Sequence, residues 1–156
     1  MQPSSRAPFT VPVSQGPVSV TADRVAAAVF VAAAIAATVT LARVGPDARG
    51  HGTHEQLGMQ PCGWPLLYGI PCPTCGCTTA ATQVVHGHLL DAFVTQPFGA
   101  ALMLLLLALG VHAALCLARG RSFVDIVLRV PFFRIVAGLV VLLFAAWGYK
   151  YVTWTG

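Results

Sequence analysis

Charge is what this sequence lacks most. Only 9% of its 156 residues are charged, and five of those are carboxylates. A soluble domain keeps about a quarter of its residues charged, so the long uncharged runs here exclude an ordinary water-soluble surface. The scarcity also removes classes of chemistry. Asp47, Glu55 and Asp91 are the carboxylates of the central segment, and they are too scattered to supply a paired general acid and base. There is no glycine-rich phosphate loop, no H-E-x-x-H and no G-x-S-x-G. The formal net charge is +4, but the basic residues sit singly at the ends of apolar runs rather than clustered among aromatics. That pattern excludes nucleic acid as a partner and suits membrane topology.

What is present is apolar sequence, 56% of the chain, and it predicts an all-α membrane protein with three transmembrane helices. The first span, about 25–42, reads "VAAAVFVAAAIAATVTLA" between Asp23 and Arg24 on one side and Arg43 on the other. Ala28, Ala32 and Ala36 recur at a spacing that lets a second helix approach closely. A cleaved signal peptide is the competing reading. The long preceding stretch and the length of the apolar run favour a span. The second, 98–118, "FGAALMLLLLALGVHAALCLA", crosses a hydrocarbon core of roughly 30 Å at about 1.5 Å per residue. The third, about 132–152, has Arg134 and Lys150 near its ends, from where both can extend to the headgroups. Trp147, Tyr149, Tyr151 and Trp154 gather there as an interfacial aromatic belt.

Arg6, Arg24, Arg119, Arg121, Arg129 and Arg134 fall on the side of the N-terminus and second loop, whereas Arg43, Arg49 and Lys150 fall on the other. The positive-inside rule therefore predicts a multi-pass protein of the cell membrane with a cytoplasmic N-terminus and an extracytoplasmic first loop. Residues 1–22, rich in proline, serine and threonine, read as a disordered tail, and 23–156 as the membrane domain. Within the long loop and surface segment, 43–97, the chain is first polar and glycine-rich. After "CGC", Thr78 and Thr79 offer N-caps for a short amphipathic or re-entrant helix, "AATQVVHGHLLDAFVTQP", weakened by Gly87 and ended by Pro97. The lipid bilayer is the expected partner, with membrane proteins as further candidates.

The chemistry-bearing residues lie in that loop. Cys62, Cys72, Cys75 and Cys77 are all there, and Cys116 alone lies inside a span. Cys116 reads as a small packing residue, one turn after His112 on the same helix. "CPTCG" gives Cys72 and Cys75 the spacing that aims two thiolates at a tetrahedral zinc, with Cys62, Cys77 or one of His51, His54, His86 and His88 completing four ligands. An oxidising compartment would instead favour disulfides. The third reading is redox catalysis, with Cys72 as nucleophile and Cys75 as resolving thiol ahead of a helix. A lone CxxC is a weak motif, so a structural staple by disulfide or metal, with zinc as the metal, is the leading reading. A thiol-disulfide oxidoreductase or metal-handling protein using Cys72 and Cys75 is the alternative. "HGTH" at 51–54 reads as a solvated loop.

The run "CGWPLLYGIPCPTCGCTTAATQVVHGHLLDAFVTQPFGAALMLLLLAL" resembles the small bacterial membrane proteins of domain-of-unknown-function family 2752. Cys62, Gly69, Pro71, Cys72, Pro73, Cys75, Gly76, Thr78, Ala80, His86, Gly87 and Pro97 fall at places matching that family's pattern. The resemblance implies a short bundle of membrane helices with a cysteine-bearing segment beside a leucine-rich span, and it implies no reaction. Where the pattern has arginine this chain has Thr79, and where it has an acidic residue after "HG" this chain has His88. Cys77 occupies a position that is usually apolar.

Overall fold

The structure, a computed structural model, describes residues 18–129 and 131–154. Among these the chain forms helices and no strand. They are α1 (Val20–Ala42), α2 (Gly63–Tyr68), α3 (Cys77–Val85), α4 (Leu89–Thr95), α5 (Pro97–Arg119), α6 (Phe123–Arg129) and α7 (Phe132–Val152), with a 3-10 helix at Thr53–Leu57. Three of them, α1, α5 and Phe133–Val152 of α7, are long and apolar enough to cross a membrane. The expected second and third spans agree with α5 and α7 to within a residue. The first helix starts earlier than expected, because Ser19 Oγ accepts the Ala22 N–H at 3.3 Å and opens the helix at Val20. The tail read over 1–22 thus lies at 1–17 outside the described residues, and its last residues are the first turn of α1.

The chain divides into two compact units. One comprises the described residues 18–36 with Leu106–Arg134. Its core is Ala27, Ala113, Cys116 and Phe123, with Phe30 packed against it. The buried face of α1 runs through Asp23, Ala27 and Ala34, whereas Ala28, Ala32 and Ala36 are exposed. Close approach does occur, but on the neighbouring face: a Cβ on Gly110 would lie 2.5 Å from that of Ala34. An alanine-rich helix carries no amphipathic signal to choose its inner face. Asp23 makes the choice instead. Its Oδ1 accepts from Ser122 Oγ at 2.6 Å and from the Val124 N–H at 2.9 Å, and its Oδ2 accepts from the Phe123 N–H at 3.2 Å. The carboxylate of α1 so satisfies the first N–H groups of α6, a helix too short to show in the sequence pattern.

The other unit comprises Ala37–Leu105 with α7 from Ile135 onward. The single surface helix expected after "CGC" is in fact two, α3 and α4, because the chain turns at Gly87 with φ +83°. Neither Thr78 nor Thr79 caps α3. Gly76, at φ +87°, holds that position without a side-chain bond. The helix before Pro97 does end there, at Thr95, and Pro97 itself opens α5, since a first-turn position needs no N–H. Gly99 lets α5 touch the start of α3, where a Cβ would stand 2.6 Å from the Cα of Cys77.

Candidate functional site: a thiol pocket on the CPTC turn

Every carbonyl along the CPTC turn but one has a defined bond. Pro71 O accepts from Trp147 Nε1 at 3.0 Å and Pro73 O from Gln96 Nε2 at 3.3 Å. Cys72 O accepts the Cys75 N–H and Thr74 O the Cys77 N–H, each at 3.0 Å, and the bonds continue into α3 through Gly76 O and the Ala80 N–H. Gln96 is fully buried, and its Oε1 accepts the Phe98 N–H at 2.8 Å, so one amide ties the turn to the start of α5. Gly76 packs so tightly that a Cβ there would meet Gly50 O at 2.7 Å. That same carbonyl accepts from Lys150 Nζ at 3.2 Å. The turn is therefore a rigid platform held from three sides.

Above it lies a pocket of about 270 Å³ lined by His51, Gly52, His54, Met59, Cys62, Cys72, Thr74, Cys75, Gly76, Thr78 and Thr79. Three of the four loop cysteines meet there. Cys62 and Cys72 are half-buried, and the thiol of Cys72 lies beside that of Cys62. Cys75 is buried. Burial pushes the Cys62 thiol above its ordinary value, with the neighbouring Cys72 adding to the shift. Burial likewise pushes Cys75 up to about 11, partly opposed by the charge of Lys150. The five cysteines are placed with no disulfide drawn between them.

Cys77 does not line the pocket. It is packed where α3 meets Gly99, and burial pushes its thiol up to about 12. His86 and His88 also lie off the pocket lining: His86 Nε2 donates to Val44 O at 3.0 Å, and His88 Nδ1 stands 3.8 Å from the Asp91 carboxylate. In the other unit, His112 and Cys116 do pair, Nε2 to Sγ at 3.4 Å.

The pocket histidines are the residues that spacing alone undervalued. His51 Nδ1 donates to Arg49 O at 3.0 Å, and its ring packs at a 46° tilt against Trp154 with centroids 4.7 Å apart. His54 Nε2 donates to Gln60 O at 3.2 Å. A carbonyl only accepts, so each ring must carry its proton on the bonded nitrogen. Nε2 of His51 and Nδ1 of His54 are left with lone pairs, the arrangement that outer-sphere bonds impose on metal-ligating histidines. As placed, no group of three or more His, Cys, Asp or Glu side chains converges to hold an ion among the described residues. The segment that carries both histidines is braced by Arg49, which reaches Asp47 at 2.7 Å and Glu55 at 3.2 Å across Gly52. Arg49 holds the Asp47 carboxyl below the usual range.

Thr79 is fully buried in the pocket wall. Its hydroxyl bonds that of Thr53 at 2.9 Å, and Thr53 Oγ1 also accepts the Asp47 N–H at 2.9 Å. No curated protein and no solved structure matches the chain. The model of the family described as protein of unknown function (DUF2752) matches residues 62–110, from the first pocket cysteine into α5, and so bears out the resemblance to that family.

Proposed function

We propose that this is an integral membrane protein whose cysteine segment is a structural staple, with Cys62 and Cys72 joining to close the segment that carries α2. The juxtaposition of their two thiols at one pocket is the observation that carries this reading. The bond forms by exchange with a disulfide-bearing oxidant: the two thiols become one disulfide, and the oxidant leaves as a dithiol with their protons and electrons. A closed loop of this size is worth about 3 kcal/mol. In the metal version of the same staple, Cys62 and Cys72 as thiolates, with the lone pairs of His51 and His54 brought onto them, would hold a zinc ion, which would supply a structural cross-link. The distribution of arginine supports an orientation with the N-terminus cytoplasmic and the cysteine segment extracytoplasmic, where oxidation is favoured.

A second reading is supported by the contrast between a half-buried Cys72 and a buried Cys75 in one turn. Cys72, as thiolate, attacks a disulfide of a partner protein and releases one of its sulfurs. Cys75, on losing its proton, then displaces the other, leaving a Cys72–Cys75 disulfide and a reduced partner. The raised Cys75 thiol suits a resolving rather than an attacking role.

Intact-mass alkylation of purified protein before and after reduction, with elemental analysis, separates these readings. The staple gains alkylation at Cys62 and Cys72 only after reduction, and the redox pair gains it at Cys72 and Cys75. About one zinc per chain, with thiols protected until chelation, marks the metal version. Metal-free protein whose thiols all alkylate without reduction would sink both forms of the staple, and a Cys75→Ser variant that traps no mixed disulfide would sink the redox reading.

A further inference from the structure

We propose that α2 is a lipid-inserted wedge, seating Leu66, Leu67 and Tyr68 among acyl chains at the membrane interface beside the thiol pocket. These three consecutive side chains are 73%, 76% and 68% exposed, on a helix lying within a loop rather than a span. In water such a cluster is costly, and large exposed apolar patches mark an interaction surface.

The depth of α2 is set by α7. In the last two turns of that span-length helix, Trp147, Tyr149 and Lys150 each donate to a backbone carbonyl of the cysteine segment. Trp147 Nε1 bonds Pro71 O at 3.0 Å, Tyr149 Oη bonds Val94 O at 2.9 Å, and Lys150 Nζ bonds Gly50 O at 3.2 Å. Trp64 of α2 meets the Trp147 ring edge-on at 6.3 Å. Amphipathic side chains of this kind sit at headgroup level at the end of a span, so a helix packed on Trp147 lies at that level too. The partner is lipid rather than a charged protein surface on a second ground. No lysine, arginine, aspartate or glutamate occurs between Glu55 and Asp91, so nothing in the segment resists entry into the acyl boundary. Leu90 and Val94 of α4, on the far side of the CPTC turn in sequence, are exposed at 84% and 66% and continue the same apolar character. Cys62, the residue that precedes α2 as its N-cap, is thereby held at the interface.

The test incorporates the photo-crosslinker p-benzoylphenylalanine at Leu67, and separately at Tyr68 in case the first variant misfolds, in full-length protein in phosphatidylcholine and phosphatidylglycerol nanodiscs. Val141, exposed in the middle of α7, is the lipid-facing control. On irradiation, both α2 positions should add the mass of one phospholipid in a yield comparable to that at Val141. Cross-linked dimers, or no adduct at either α2 position while Val141 still adds lipid, would overturn the proposal. The outcome is independent of the cysteine state, which the alkylation measurement reads separately.

Discussion

Cys75 and Cys77 differ in surroundings more than their spacing suggests, yet burial raises both thiols. Folded-state values of about 11 and about 12, against an ordinary 9.0, make a definite pH prediction. From pH 9 up to about 11 for Cys75 and about 12 for Cys77, the folded chain retains protons that the unfolded chain gives up, so stability is level below pH 9 and falls as pH rises through that window. At pH 8 only roughly a thousandth of a thiol with a value near 11 is thiolate, against roughly a tenth of an ordinary one. Alkylation of reduced protein at pH 8 should therefore modify Cys75 about a hundredfold more slowly than a free thiol. Site-resolved mass spectrometry checks this, and fast labelling of Cys75 would mean that it is not buried. Which cysteines cluster was only partly legible in the chain. Cys62, Cys72 and Cys75 meet as the motif suggested, whereas Cys77, adjacent in sequence, turns to the α5 contact because it starts a helix. Thr79 stood out as a departure from a pattern, but that it forms the pocket wall with Thr53 required the fold, since the two are far apart in sequence and joined by one hydroxyl pair.

At the scale of elements, glycines decide how the short helices meet the long ones. Gly99 admits the backbone of Cys77 so closely that a methyl group would lie 2.6 Å from its Cα and 2.8 Å from its carbonyl oxygen. Neither atom can yield without shifting α3. Gly99→Ala should cost several kcal/mol, since overpacking against backbone exceeds the usual penalty of about 1–3 kcal/mol for a tight core. Gly138→Ala has nothing within 4 Å to meet and should be neutral or stabilising by up to about 1 kcal/mol, the gain in helix propensity. Thermal unfolding of the two variants in detergent compares them, and equal midpoints would refute the close contact. The sequence showed Gly87 as a weak point in a helix. It did not show that α3 and α4 are separate, because an apolar period of four to five residues survives a break at a single left-handed residue. The helices α2 and α6 were missed for a related reason: at six and seven residues each, they are too short for periodicity to register.

At the scale of the whole molecule, two basic residues are bound into the cysteine segment. Arg49 is taken up by two carboxylates, and Lys150 is buried and bonded to loop carbonyls, so they serve the architecture of the cysteine segment as well as its charge balance. With the proposed orientation, a membrane-impermeant maleimide applied to intact cells should label a cysteine placed at Gln56 and fail to label one placed at Arg121, in a background lacking the native thiols of the loop. The reverse pattern would invert the topology. The aromatic residues at the end of α7 were read as a belt facing lipid headgroups. At that level Trp147 and Tyr149 also direct their polar tips to the backbone of the segment that carries the thiols, and Trp154 packs at a tilt against a pocket histidine. Those polar tips would be satisfied equally well by headgroups or by carbonyls, so composition could not choose between them.

By itself, the sequence determined that this chain is a helical membrane protein with three spans and that its thiols are concentrated beside the second. Uncharged runs of that length cannot be solvated, and in lipid the backbone must bond to itself. Only the tertiary structure decided which face of α1 is inward, which three cysteines share a pocket and which histidines join them. Those outcomes depend on single polar bonds between distant residues, Asp23 to the start of α6, Gln96 to Pro73 and Trp147 to Pro71, and such bonds leave no periodic trace in the chain.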